Sequence, residues 1–500
     1  MRILLVIPSR SYGTVPGYTK FPDEMLSIGG MLESRGHQVK LVDCNLDKKR
    51  PVDFLDFCPQ LVGFCVATGP NITDALTQSS EFKNLFPGVK IAWGFRHASA
   101  YPAEVLRESC ADYAVIGPGE FTIAELADHL EKNSTDYSSI KGLAFKNSDG
   151  MIIINEPRPF MADLDSLPDP AWHLIDVNRY SDVTLNTSRG CPFKCTICSD
   201  PTFYGGNMCD LSAERIVAQM ELLHKKYGIQ HIYFSGERFV INRERLHQFC
   251  RLVIHKKWKI TWNAPVSGAL DEETVRLMKK AGCTSVLFEI ETGSQRMLSF
   301  INKGTVSEME STFWLLAKHH IIPTLFMMYG YPTESVEDFN ESLTFMKRLD
   351  SPPYLYMKFV PYPGTVLFDY CLEHGLLKTP RTLQEWADFP IQCANEINLS
   401  QVPQQKMDEA MSDFRRSYAT RRVRFMLRHN PAFFLDAVKR PREFFRSVWD
   451  LGKYYIDIML DPTNGSQSWL SKLIKKNRHS GGSESPRLQT KQVTRGGEVS

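Results

Sequence analysis

Three of the chain's twelve cysteines stand within eight residues, as Cys191-Pro-Phe-Lys-Cys195-Thr-Ile-Cys198, while the other nine are scattered. Thiolates are the usual ligands of iron–sulfur clusters, and one loop can place three of them on three corners of a single cubane. Four protein ligands would close such a cluster, whereas three leave one iron open to a small molecule. The other chemistry open to these thiols is structural zinc, completed by Cys209 or a distant histidine, because structural zinc takes four Cys or His ligands. Zinc sites usually pair two Cys-x-x-Cys knuckles, and no second knuckle exists here. The spacing therefore favours iron and sulfur.

The elements that must carry this loop are legible in the hydrophobic pattern. The cysteines follow an apolar run, Val183–Thr187, and a Ser188-Arg189-Gly190 turn. From there apolar runs alternate with helical patterns as far as Tyr354–Val360, about six strand–helix units. That alternation predicts an α/β architecture built as a partial (β/α)6 barrel over residues 181–395, with its reactive groups at the carboxyl ends of the strands. Residues 1–135 alternate in the same way, from Ile3–Ile7 to Thr122–Leu130. They predict a doubly wound, Rossmann-like domain whose ligand lies at the carboxyl edge of its sheet. Between the two, residues 136–180 read as a hairpin around Asp149-Gly150 followed by a proline-rich linker. A mainly helical region is expected over 396–478, and a disordered tail over 479–500, where the polar Gly/Ser-rich composition cannot bury enough surface.

Composition sets limits on function. With 500 residues, 43% hydrophobic and 23% charged, the chain is neither a disulfide-stapled mini-domain nor globally disordered. The balance of 59 Lys+Arg against 57 Asp+Glu leaves +2, which supplies no overall field for nucleic acid. No apolar run reaches the roughly 18 residues of a membrane span, and Met1–Pro8 is too short for a signal-peptide core. A cytoplasmic protein with reduced cysteines is expected. The basic, aromatic-interleaved stretch Arg415–Arg446 reads as a helical subdomain, with peripheral contact to an anionic membrane or a phosphate-bearing substrate as the alternative. Nothing in it selects a nucleic acid.

The string Cys-x3-Cys-x2-Cys preceded by Ser188-Arg189-Gly190 resembles the signature of radical S-adenosylmethionine enzymes. The resemblance implies a 4Fe–4S cluster on Cys191, Cys195 and Cys198, with S-adenosylmethionine chelated by its open iron. It also implies reductive cleavage to a 5′-deoxyadenosyl radical, with electrons from an external flavodoxin- or ferredoxin-type donor. Ile197 stands where the family usually has an aromatic residue, so its adenine contact is apolar only. Tyr233-Phe234-Ser235-Gly236-Glu237 resembles the Gly-Gly-Glu motif that receives the methionine amino group, which assigns Ser235, Gly236 and Glu237, with Ser235 in place of the first glycine. Phe288–Ser294 resembles the strand whose glutamate contacts the ribose, here Glu291. Glu289, where the family tends to have glycine, reads as a partner for a nearby Lys or Arg. Met328–Ser335 and Val360–Thr365 resemble the later strand ends in order and spacing.

The first domain is similar to the cobalamin-binding domain fused ahead of one large class of these enzymes, through Phe21-Pro22, Val42-Asp43, Leu61–Phe64, Trp93–His97 and Asp112–Glu120. The resemblance implies cobalamin contacts at Gly63, Gly94, His97, Gly117, Gly119 and Glu120. The lower-ligand motif Asp-x-His-x-x-Gly does not occur in the chain, so the cobalt would be bound without a histidine from it. Together these likenesses imply a cobalamin-dependent radical S-adenosylmethionine methyltransferase. It would act on an unactivated carbon, or on phosphorus, of a small metabolite, antibiotic precursor or lipid. A cyclising or rearranging enzyme of the same class and a non-catalytic cobalamin sensor are the alternatives. No residue beyond these cofactor contacts is assigned a catalytic role.

Overall fold

A computed structural model describes residues 1–9, 19–235, 239–350, 355–389 and 397–429. The first sheet is built from β1 (Arg2–Ile7), β2 (Gln38–Asp43), β3 (Leu61–Cys65), β4 (Lys90–Gly94) and β5 (Tyr113–Val115). With β6 (Leu143–Lys146) and β7 (Ile152–Ile154) it takes the order β2-β1-β3-β4-β5-β6-β7. Strands β1 to β5 are parallel. Their connections contain α1 (Asp23–Ser34), α2 (Asn71–Leu85), α3 (Arg96–Ala100) and α4 (Pro102–Glu108), and α5 (Glu120–Glu131) follows β5. Residues 3 to 6 of β1 are all buried because both faces of the strand are covered. Ile3 and Leu5 join the core under α1 and α5, while Leu4 and Val6 join the core under α2 and α4. Strand order reverses between β1 and β3, the crevice where ligands of such sheets bind.

The hairpin expected at Asp149-Gly150 forms, but it is not set apart from the first domain: β6 pairs antiparallel with β5 and extends the sheet. The proline-rich segment after it is tied down, since Ala171 N–H donates to the Leu26 carbonyl at 2.9 Å and Trp172 is buried.

The second sheet has six parallel strands in the order β15-β14-β13-β12-β11-β8. They are β8 (Thr184–Asn186), β11 (His231–Ser235), β12 (Thr261–Val266), β13 (Cys283–Glu291), β14 (Ile322–Tyr329) and β15 (Leu355–Lys358). The predicted partial barrel is therefore present. Short helices α6 (Asp200–Phe203) and α10 (Gln295–Phe300) aside, its covering helices α7 (Ala213–Tyr227), α8 (Arg243–Lys256), α9 (Glu272–Lys280), α11 (Val306–Lys318) and α12 (Val336–Leu349) begin at Ser212, Asn242, Asp271, Thr305 and Ser335. Each of these caps accepts a hydrogen bond from a backbone N–H three residues on, an interaction worth about 1 kcal/mol.

One local expectation is corrected. Ser188-Arg189-Gly190 is a short strand, β9, paired antiparallel with β10 (Met208–Asp210). Gly190 takes φ +75°, and a Cβ there would lie 2.0 Å from the Asn207 carbonyl oxygen, so the pairing forces glycine immediately before Cys191. After the barrel, α13 (Val366–Glu373) precedes α14 (Leu383–Ala387), which returns to the first domain: Trp386 Nε1 donates to Glu104 at 3.0 Å. The expected C-terminal helix is α15 (Gln404–His429), packed on the barrel through Phe425 and Phe313. The rest of the basic stretch and the expected tail lie outside the described residues. Among the described residues no helix is long and apolar enough to cross a membrane.

Candidate active site

The cysteine loop sits at the carboxyl ends of the barrel strands and is strapped in place by backbone contacts. Thr196 N–H donates to the Ile301 carbonyl, Leu367 N–H to the Thr196 carbonyl, and the Asn302 amide to the Lys194 carbonyl at 2.9 Å. Cys191 is buried, Cys195 and Cys198 are half-buried, and Ile197 packs partly against the core. Among the described residues no three His, Cys, Asp or Glu side chains converge on a single point. A cubane does not ask them to, since each thiolate meets its own iron.

Next to this loop lies a pair of carboxylates. Strand β13 changes register between Glu289 and Glu291, and Glu291 takes φ +68°, an uncommon conformation for a bulky residue. Such an irregularity re-aims side chains at a strand end, and here both carboxylates reach one cation. Lys303 Nζ lies 2.7 Å from Glu291 Oε1 and 3.4 Å from Glu289 Oε2. Burial raises the Glu291 carboxyl above its ordinary range, and the Lys303 ammonium opposes that rise. Cys195 also contributes to the electrostatic surroundings of Lys303, so this one thiol lies near the cation. Glu289 thus has the basic partner its position called for. Lys303 itself was not singled out in the sequence; the only signal was an unexplained acid lacking its base. The following Gly293 has no room for a side chain, since a Cβ would lie 2.6 Å from Phe345 Cβ, so Thr292-Gly293-Ser294 serves to dock α12.

Ser235 ends β11, and its hydroxyl donates to Asp23 Oδ2 at 2.6 Å. Gly236 and Glu237 lie outside the described residues. Asp23 belongs to the first domain, where burial and the neighbouring Glu24 carboxylate push its carboxyl well above its ordinary range.

A second site opens at the carboxyl edge of the first sheet, a cleft that encloses about 690 Å³ together with the solvent at its opening. Gly63, Gly94, Gly117, Gly119 and Glu120 all line it, between apolar walls that include Leu5, Ile28 and Ile123. The glycines give it shape: a Cβ at Gly63 would stand 3.3 Å from Leu5 Cδ2, and one at Gly119 3.3 Å from Val115 Cγ1. A concave, largely apolar cleft with a few polar groups, Glu24, Glu120 and Arg189, in its lining suits an organic cofactor. Its far wall comes from the barrel, because Phe203 and Tyr204, just beyond Cys198, and Arg189, just before Cys191, line it too. Arg189 donates to Glu120 at 2.8 Å, Arg96 donates to Asp200 at 2.5 Å, and the Arg96 guanidinium lies 4.2 Å from the Phe203 ring centre.

His97 is placed elsewhere. Phe95 takes φ +79° and lines the cleft, which turns the chain so that α3 carries His97 into the core beneath the sheet. There it shares a hydrogen bond with Thr68 at 3.0 Å and packs edge-on against Trp386, and burial lowers its imidazole to about 3.

An α/β chain that sets a three-thiol loop at a barrel mouth against a cleft in a doubly wound domain has the build of a two-cofactor enzyme. Comparison with known proteins gives the same class. Residues 185–346 match the radical SAM superfamily and residues 12–127 the B12 binding domain. An uncharacterized methyltransferase of Pyrococcus horikoshii is 31% identical over 393 residues, covering 76% of this chain and 85% of that one. The anaerobic magnesium-protoporphyrin IX monomethyl ester cyclase of Synechocystis sp. is 26% identical over 400 residues, covering 76% and 79%. Among solved structures, the radical S-adenosylmethionine methyltransferase TsrM of Kitasatospora setae, with cobalamin and a 4Fe–4S cluster bound, superposes with a TM-score of 0.64 at 18% identity, covering 76% of each chain. The chain belongs to the cobalamin-dependent radical S-adenosylmethionine enzymes, and its cofactors are a 4Fe–4S cluster, S-adenosylmethionine and cobalamin. The residues present fit all three: thiols for iron, a buried acid–base cluster beside them, and a glycine-cradled apolar cleft.

Proposed function

We propose that the enzyme methylates an unactivated carbon, or phosphorus, of a small metabolite, antibiotic precursor or lipid held inside the barrel. The observation that carries this reading is the shared wall: Phe203 and Tyr204 follow the cysteine loop directly and line the cleft of the first domain. When bound, the cluster with S-adenosylmethionine supplies radical chemistry at the substrate, and cobalamin supplies the methyl group. The protein's part is to hold and orient. Cys191, Cys195 and Cys198 would hold the cluster, and a flavodoxin- or ferredoxin-type partner would reduce it. Glu291, steadied by Lys303, would take the ribose hydroxyls, and Ile197 the adenine face.

The barrel interior offers the substrate two kinds of surface. Register places Thr184, Tyr233, Asn263 and Ser285 in one layer across four adjacent strands, all on the same face of the sheet. Asn263 Oδ1 is buried there without a hydrogen-bond partner, an acceptor suited to a substrate O–H or N–H. Nearer the mouth, the same face of β13 and β14 carries Leu287, Phe326 and Met328, which suit an apolar body. Mass analysis of products after incubation with candidate substrates and methyl-labelled S-adenosylmethionine tests the reading: a gain of one labelled methyl supports it. Loss of hydrogen with no added carbon would instead support ring formation, the reading favoured by the cyclase relative.

A further inference from the structure

Asp23 and Glu24 are neighbours in the first turn of α1, yet they serve different compartments. Glu24 lines the cobalamin cleft, where Lys20 donates to it at 3.1 Å. Asp23 faces the barrel instead and accepts the Ser235 hydroxyl at the carboxyl end of β11. Its carboxyl also interacts with the neighbouring Glu24 carboxyl, and Asp23 borders a separate cavity lined by Thr184, Asn186 and Arg189. The same helix presents Met25 and Ile28 to the cobalamin cleft, so anything filling that cleft bears directly on the segment that holds Ser235. A serine where the resemblance leads one to expect glycine adds a hydroxyl, and in this chain that hydroxyl is spent on the contact with the first domain.

We propose that Asp23 is a positioning residue that ties the end of β11 to α1, so that cobalamin and S-adenosylmethionine bind with positive coupling. The inference rests on the functional reading above, since it takes Ser235 to border the S-adenosylmethionine site. Filling the cleft holds α1 in place through its own Met25 and Ile28, which line that cleft. Asp23 then holds the strand end in one place, and S-adenosylmethionine meets an ordered site instead of having to order it. Coupling of this kind is reciprocal, and each cofactor tightens the other by the same factor.

The full chain, reconstituted anaerobically with iron and sulfide, allows the S-adenosylmethionine dissociation constant to be measured by equilibrium dialysis with and without saturating hydroxocobalamin. In the wild type cobalamin should tighten binding about five-fold or more. Ser235→Gly removes the hydroxyl while keeping the residue expected at this position, and Asp23→Ala removes the acceptor. Each variant should still bind both cofactors, with the coupling factor reduced to about one, and the double variant should add nothing further. Unchanged coupling in Ser235→Gly, or no coupling in the wild type when both cofactors bind, overturns the inference alone. A wild-type chain that fails to bind one of the cofactors overturns the functional reading together with it.

Discussion

Lys303 Nζ lies 2.7 Å from Glu291 Oε1, and both side chains are almost wholly buried at the end of β13. Removing the cation leaves two carboxylates, Glu289 and Glu291, facing each other's charge with no base between them. Breaking a buried pair from one side costs about 3–5 kcal/mol. Lys303→Met should therefore lower the thermal midpoint by several degrees. It should also weaken S-adenosylmethionine binding at least ten-fold in equilibrium dialysis, while the visible spectrum of bound cobalamin stays unchanged.

Gly190 tests how the cysteine loop is anchored. A methyl group there collides with the Asn207 carbonyl, and the φ of +75° disfavours any side chain. Gly190→Ala should open the β9–β10 ribbon and lower iron and acid-labile sulfide content after reconstitution. Gly206→Ala is the control: it has positive φ but open space around its Cβ, and it should retain most of the iron.

The cleft in the first domain can be filled without touching the barrel. Gly63→Leu places a side chain against Leu5, where even a Cβ has only 3.3 Å. The variant should lose cobalamin absorbance after gel filtration and keep the iron–sulfur absorbance. Retention of cobalamin at wild-type stoichiometry would show that the cleft is not its site.

His97 sets a pH dependence. Its folded imidazole, lowered to about 3 by burial, is neutral where an unfolded histidine near 6.5 is already charged. Unfolding therefore takes up a proton as pH falls below 6.5. The stability contribution is complete above that value and declines as pH drops towards 3. Urea midpoints at pH 7.5 and pH 5 should differ less in His97→Gln than in the wild type, after allowance for the general loss of stability in the variant.

Much of this architecture is readable in the sequence, and what is not has a common cause. The strands of both sheets are short apolar runs between amphipathic helices, a local pattern, and the expected run Val183–Thr187 falls on β8. The cysteine spacing is also local. Three features depend instead on residues far apart in the chain. The pairing of Ser188–Gly190 with Met208–Asp210 made a strand of an expected turn. The reach of Lys303 back to Glu289 spans 14 residues. The use of Phe203 and Tyr204 as a wall for a cleft begun at Leu5 joins two domains. His97 misled for a related reason: its position in the string matches the resemblance, but Phe95, in place of a glycine, turns into the cleft itself and sends His97 into the core.

Cys191, Cys195 and Cys198 are proposed to hold a cluster whose open iron activates S-adenosylmethionine. The most direct test is 5′-deoxyadenosine formation, followed by liquid chromatography, after anaerobic reconstitution with iron, sulfide and hydroxocobalamin and reduction in the presence of S-adenosylmethionine. The wild type should form 5′-deoxyadenosine, and Cys195→Ala should form none while still binding cobalamin. Equal 5′-deoxyadenosine from both proteins, or a wild-type chain that takes up zinc in place of an iron–sulfur cluster, would rule out that role for the three cysteines.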